Sequence, residues 1–87
     1  MKVTDPCAVN ALKFIDTALR TKRSVSFNDV IGSAECKRYS VSDIGKALEL
    51  LRKNKLVKAS SRFGCSELLE FTATAVTDEG RAFLKDH

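Results

Sequence analysis

Proline occurs once and glycine four times among 87 residues, too few for a fold dominated by loops. No apolar run approaches the roughly 18 residues that cross a bilayer. The first residues lack the apolar core of a signal peptide, so a cytoplasmic protein with no membrane partner is expected. Histidine occurs only as His87, and no CxxC pair exists, which argues against a zinc site. Paired carboxylates, a nucleophile elbow and a phosphate-binding loop are also missing. The expectation is therefore a protein that is not an enzyme and holds no cofactor.

The three cysteines, Cys7, Cys36 and Cys65, are odd in number and widely spaced, as free thiols in a reducing compartment would be. Cys36 stands beside Lys37 and Arg38, whose charges would favour a thiolate. A small buried hydrophobe is the favoured role for it. Cys65 falls in an expected exposed loop, where a redox signal would have access.

What is present is one domain, residues 1–87, with its charge unevenly placed. Five cations face two carboxylates over residues 1–23, and seven face three over residues 35–58. Over residues 59–87 the balance reverses to three against five. A positive field confined to the first two thirds suits a polyanion, although a solvated basic surface reads the same way.

Asp5-Pro6 is a helix start: a capping oxygen, then a residue whose missing N–H is not needed. Ala8, Ala11, Leu12, Ile15, Ala18 and Leu19 recur at helical spacing, placing a first helix over about 6–21. Val25 and Phe27 alternate as in a short strand. Ser26 to Asp29 resembles a capping box for a second helix, with Val30, Ile31 and Ala34 inward and an end near Lys37. Ser40 opens a third helix with Ile44, Ala47, Leu48 and Leu51 inward, stopping at Asn54 or Lys55. Two strands follow, around a polar stretch containing Gly64. Thr77 then caps a last helix over about 78–86, with Ala82, Phe83 and Leu84 inward.

Two local patterns carry a resemblance. Ala47, Leu48, Leu51, Leu56 and Val57 match "A-L-x-x-L-x-x-x-G-L-V" except that Lys55 stands at the glycine. Val76, Thr77, Gly80 and Arg81 match "L-T-x-x-G-R" with valine for leucine. With the order of elements, these patterns resemble the winged helix-turn-helix regulators of the MarR/PadR kind over residues 8–86. The resemblance implies an α+β fold with a three-helix core, a β wing of two or three strands and a short C-terminal helix. It also implies a prokaryotic or viral transcriptional regulator that binds double-stranded DNA as a homodimer. Larger members of that group dimerise through long terminal helices, which are short here.

In such a fold the third helix enters the major groove and the wing follows the backbone. Ser42 and Lys46 are then the candidates for base edges, with Asp43 or Glu49 as discriminators. Lys37, Arg38, Lys53, Ser40 and Arg62 are the candidates for phosphates, and Tyr39 for a sugar or phosphate. Plainer roles exist for each: caps for Ser40 and Ser42, solvated positions for Lys46 and Lys53, packing for Tyr39. Asp43 and Glu49 would repel phosphates unless they accept from cytosine or pair with Lys46 and Lys53. Leu50 falls on the presumed outer face. It favours the alternative, a winged helix used for protein contact. Phe14, Leu19 and Phe83 are the candidates for a dimer interface.

Overall fold

The local signals that begin each helix act where they stand. In the computed structural model, which describes residues 5–64 and 67–86, Asp5 caps α1 (Pro6–Ala18) and accepts from the Cys7 N–H at 3.0 Å. After the two-residue strand β1 (Val25–Ser26), Ser26 and Asp29 form a reciprocal capping box on α2 (Phe27–Ile31). Ser40 caps α3 (Val41–Lys53). Strands β2 (Val57–Gly64) and β3 (Glu67–Val76) follow, and Thr77 caps α4 (Asp78–Lys85). Among the described residues the architecture is α+β, with four helices and one antiparallel three-stranded sheet in the order β1-β3-β2. This arrangement is compatible with a winged-helix-like fold.

Several boundaries differ from the sequence reading. α1 ends at Ala18 instead of about residue 21, because Leu19 is already its cap and residues 20–22 turn back onto the carbonyls of Thr17 and Ala18. α2 stops at Ile31, well short of Lys37. Ser33 is buried there and its hydroxyl donates to the Val30 carbonyl at 2.7 Å, after which turns run to Tyr39. Ala34 is consequently exposed. Phe27 belongs to the helix, not to the strand. Ala82 is exposed, and the buried residue of α4 is Gly80.

The core is one continuous cluster. Leu12 and Ile15 of α1 meet Ile44, Leu48 and Leu51 of α3, with Val25, Phe71 and Ala73 from the sheet. Phe14, Leu19 and Phe83, the candidates for a dimer surface, are half-buried and packed against this cluster. Burial raises the Cys7 thiol to about 11, helped by the nearby Cys36 and Asp5. Burial also raises Cys36, and the exposed Lys37 and Arg38 do not reverse it. Cys36 is thus the small buried hydrophobe that was favoured for it, not the thiolate its charged neighbours offered as the alternative. Cys65 lies outside the described residues.

The two resemblance patterns dock on each other. α3 ends in a Schellman turn: the Leu56 N–H donates to the Leu51 carbonyl and the Lys55 N–H to that of Arg52, while Leu51 and Leu56 are both buried. Lys55 sits at φ 58°, the left-handed conformation that glycine adopts without strain. Replacing Lys55 by glycine is expected to stabilise the fold by about 1 kcal/mol, raising Tm by about 5 °C. A lower Tm in a thermal melt would mean that the lysine side chain contributes more than its backbone costs. Thr77 latches onto this turn, its hydroxyl donating to the Lys55 carbonyl at 2.6 Å and its N–H to the Leu56 carbonyl at 3.1 Å.

β2 lies at one edge of the sheet. Its pairing with β3 is broken by irregularities at Lys58/Ala59 and at Arg62/Phe63. Both irregularities skip a residue of β3, Thr74 and Leu69, while β2 runs unbroken; the second brings Leu68 to the side that meets α3, opposite Phe63.

Candidate nucleic-acid interface

Spacing along α3 divides it into three faces. Ile44, Ala47, Leu48 and Leu51 point to the core. Val41, Gly45, Glu49 and Lys53 follow one another at intervals of four on the side toward the hairpin. A Cβ on Gly45 would lie 3.4 Å from Leu68 Cβ, an ordinary van der Waals contact, so the hairpin sits directly beside this position. Ser42, Lys46 and Leu50 form the next row, open to solvent.

This geometry corrects the outer-face assignment of Glu49. The hairpin covers it, leaving the residue 9% exposed, and its Oε1 accepts from Arg52 Nε at 2.7 Å. The expected pairs Asp43–Lys46 and Glu49–Lys53 are absent among the described residues, where Glu49 pairs with Arg52 instead. Glu49 Oε2 is buried without a hydrogen-bond partner among the described residues. A carboxylate held this way is withdrawn from base reading. Asp43 remains exposed.

The other candidates fall into place around α3. Lys46 and Lys53 are exposed and make no ion pair among the described residues. Lys37 and Arg38 project from the turn that leads into α3. Ser40 Oγ accepts from the Asp43 N–H at 3.1 Å and keeps its own proton available for a phosphate. Tyr39 is half-buried. Its hydroxyl accepts from Asn10 Nδ2 at 3.2 Å and from Arg38 at 3.3 Å, and the Arg38 guanidinium sits 5.2 Å from the ring centroid. Tyr39 thus ties the turn to α1 and holds Arg38 in place, the packing role weighed for it. Arg62 is exposed on β2 and lies 3.6 Å from Glu70 across the hairpin, a solvated pair of little energetic value.

The sequence reading missed the apolar part of this surface. Between α3 and the hairpin runs a groove of about 540 Å³, walled by Val41, Leu50, Phe63 and Leu68 and flanked by Lys46 and Lys53. Val41 is 55% exposed, Phe63 46% and Leu50 38%. Leu50 was legible from helical spacing. Phe63 was legible too, since it continues the alternation of Val57, Ala59 and Ser61; Leu68 was not, because the skipped Leu69 that sets its face leaves no mark in the sequence.

No group of residues able to hold a metal ion occurs among the described residues. No described helix is long and apolar enough to cross a membrane. No protein-family model, curated protein or solved structure matches this chain.

Proposed function

We propose that this chain is a winged-helix protein that binds double-stranded DNA and acts as a transcriptional regulator. In this reading α3 lies in the major groove and the β2–β3 hairpin is the wing along the backbone. The observation that carries it is the run of exposed cations around α3: Lys37 and Arg38 before the helix, Lys46 and Lys53 on its outer side, Arg62 on the hairpin. Of the two carboxylates of α3 that would oppose them, Glu49 is covered and paired, while Asp43 stays exposed. Lys46 is the candidate for a guanine edge, with Ser42 beside it. The remaining cations and Ser40 meet phosphates. A homodimer on a palindromic site belongs to the same proposal, through the surface of α1 and α4.

The test is fluorescence anisotropy with mixed-sequence duplex DNA over a range of salt. Contacts from Lys37, Arg38, Lys53 and Arg62 correspond to about four phosphates per chain, so log K is expected to fall with log salt at a slope of about −3.6. Lys37→Ala should reduce that slope by about 1. On a selected site, Lys46→Ala should relax discrimination at one base pair by about 1–3 kcal/mol.

A second reading, a winged helix that contacts protein, is favoured by the exposed apolar groove beside Leu50. Absence of duplex binding at low salt selects it.

A further inference from the structure

We propose that the groove between α3 and the hairpin takes a tryptophan side chain of a partner protein, carried on an acidic helix. The inference rests on the protein-contact reading of this groove and names the chemistry of the partner. It excludes no DNA: a partner seated here would cover Lys46 and Lys53 and so compete with a duplex.

The walls ask for an apolar guest. Four large hydrophobic side chains are exposed among the described residues, and three of them, Val41, Leu50 and Phe63, line this one groove. Such concentration marks a contact surface, whereas scattered single residues do not. The space of about 540 Å³ admits a large aromatic ring.

The lining also holds an acceptor without a donor. Glu49 borders the groove, and its Oε1 accepts from Arg52. Its Oε2 is buried with no hydrogen-bond partner among the described residues. A carboxylate oxygen left in this way costs free energy that a donor brought in by the guest would recover. Aliphatic side chains and phenylalanine carry no donor. Lysine or arginine would add a positive charge beside Arg52, Lys46 and Lys53. A tyrosine hydroxyl would donate but bury its own lone pairs. The indole of tryptophan is apolar, donates one N–H and leaves no acceptor unsatisfied.

The rim supplies the charge of the partner. Lys46 and Lys53 are exposed and make no ion pair among the described residues. They stand seven residues apart, two helical turns or about 10 Å. Two carboxylates at the same interval on a partner helix would meet them, with the tryptophan between, three or four residues from each. A second copy of this chain cannot provide the anchor, because the sequence contains no tryptophan.

That absence also makes the test direct, since tryptophan emission reports the partner alone. The probe is a helical peptide with two glutamates seven residues apart and one tryptophan between them. Titration with the chain should shift its emission to the blue and saturate. A competing peptide with benzothienylalanine, in which sulfur replaces the indole N–H, should displace it about tenfold less well. Glutamine for each glutamate should weaken binding about threefold. Leu50→Ala, an exposed position expected to fold, should weaken it as well. Equal displacement by the benzothienyl peptide would mean that the anchor does not use Glu49; the tryptophan inference is then wrong and the protein-contact reading stands. No blue shift with any of these peptides overturns both. N-acetyltryptophanamide binding as tightly as the peptide would make the groove a small-molecule pocket and overturn the acidic partner.

Discussion

Gly80→Ala is expected to lower Tm by about 15 °C, a loss of ~3 kcal/mol. Gly80 lies in the first turn of α4, where its N–H donates to the Thr77 hydroxyl at 3.0 Å. A Cβ at this position would fall 2.1 Å from the Leu56 carbonyl oxygen and 2.8 Å from Val76 Cγ1. The first of these is backbone, and it cannot turn aside. That carbonyl already accepts from the Thr77 N–H, so moving it disturbs the latch as well. The helix must therefore lift from the α3–β2 turn, taking with it the packing of Phe83 and Leu84 on the core. Thermal melts of the two proteins decide the matter. A Tm within 3 °C of the parent would mean that α4 is not seated on Leu56. The result also gives a physical meaning to the Thr77…Gly80 pattern: threonine reaches the turn with its hydroxyl, and glycine lets the helix lie close enough for that reach.

Leu48→Ala and Leu50→Ala should behave very differently although the residues are two apart on one helix. Leu48 is fully buried between α1 and the sheet. Its truncation leaves a cavity in the core and is expected to cost ~3 kcal/mol, again about 15 °C in Tm. Leu50 stands on the solvent row with Ser42 and Lys46, and its truncation should cost under ~1 kcal/mol. The contrast fixes the rotation of α3 about its own axis. Comparable losses for the two variants would place Leu50 inside, and the row proposed to face DNA would be misassigned. The expected pattern makes Leu50→Ala a usable probe of binding, since a change in affinity would then not be a change in folding.

The helix starts were legible because each is a local event. Asp5, Ser26, Ser40 and Thr77 each accept from a backbone N–H two or three residues on, as the sequence suggests. The inward face of α3 was legible from its period; the stop was placed at Asn54 or Lys55 on the tolerance of asparagine for the left-handed conformation, but it is Lys55 that adopts it, while Asn54 stays at φ −87°. What failed was set by contacts between distant segments. Glu49 occupies the outer face of an isolated helix, and only the hairpin makes it an inner one. α2 instead ends at its cap residue Gly32, a stop that the reading to Lys37 passed over. By contrast, Cys36 was favoured as a buried residue and turns into the core, while its neighbours Lys37 and Arg38 turn out. For the site, the positions of the cations were readable and the groove between them was not. It needs Gly45, Phe63 and Leu68 to come together from three segments.

β2 has a further consequence as the outermost strand of the sheet. One side of its backbone offers N–H and C=O groups to any extended chain that comes near, and eight residues is long for an unprotected margin. Two features oppose such growth: the irregular pairing at both ends of the strand, and the charges of Lys58 and Arg62 along it. Arg62 therefore has two duties in the reading given above. In a complex it meets a phosphate; in the free protein it keeps neighbouring molecules from adding strand to strand. Neutralising it should therefore do two things at once: remove one phosphate contact from the salt slope and raise the tendency of the free protein to self-associate at high concentration.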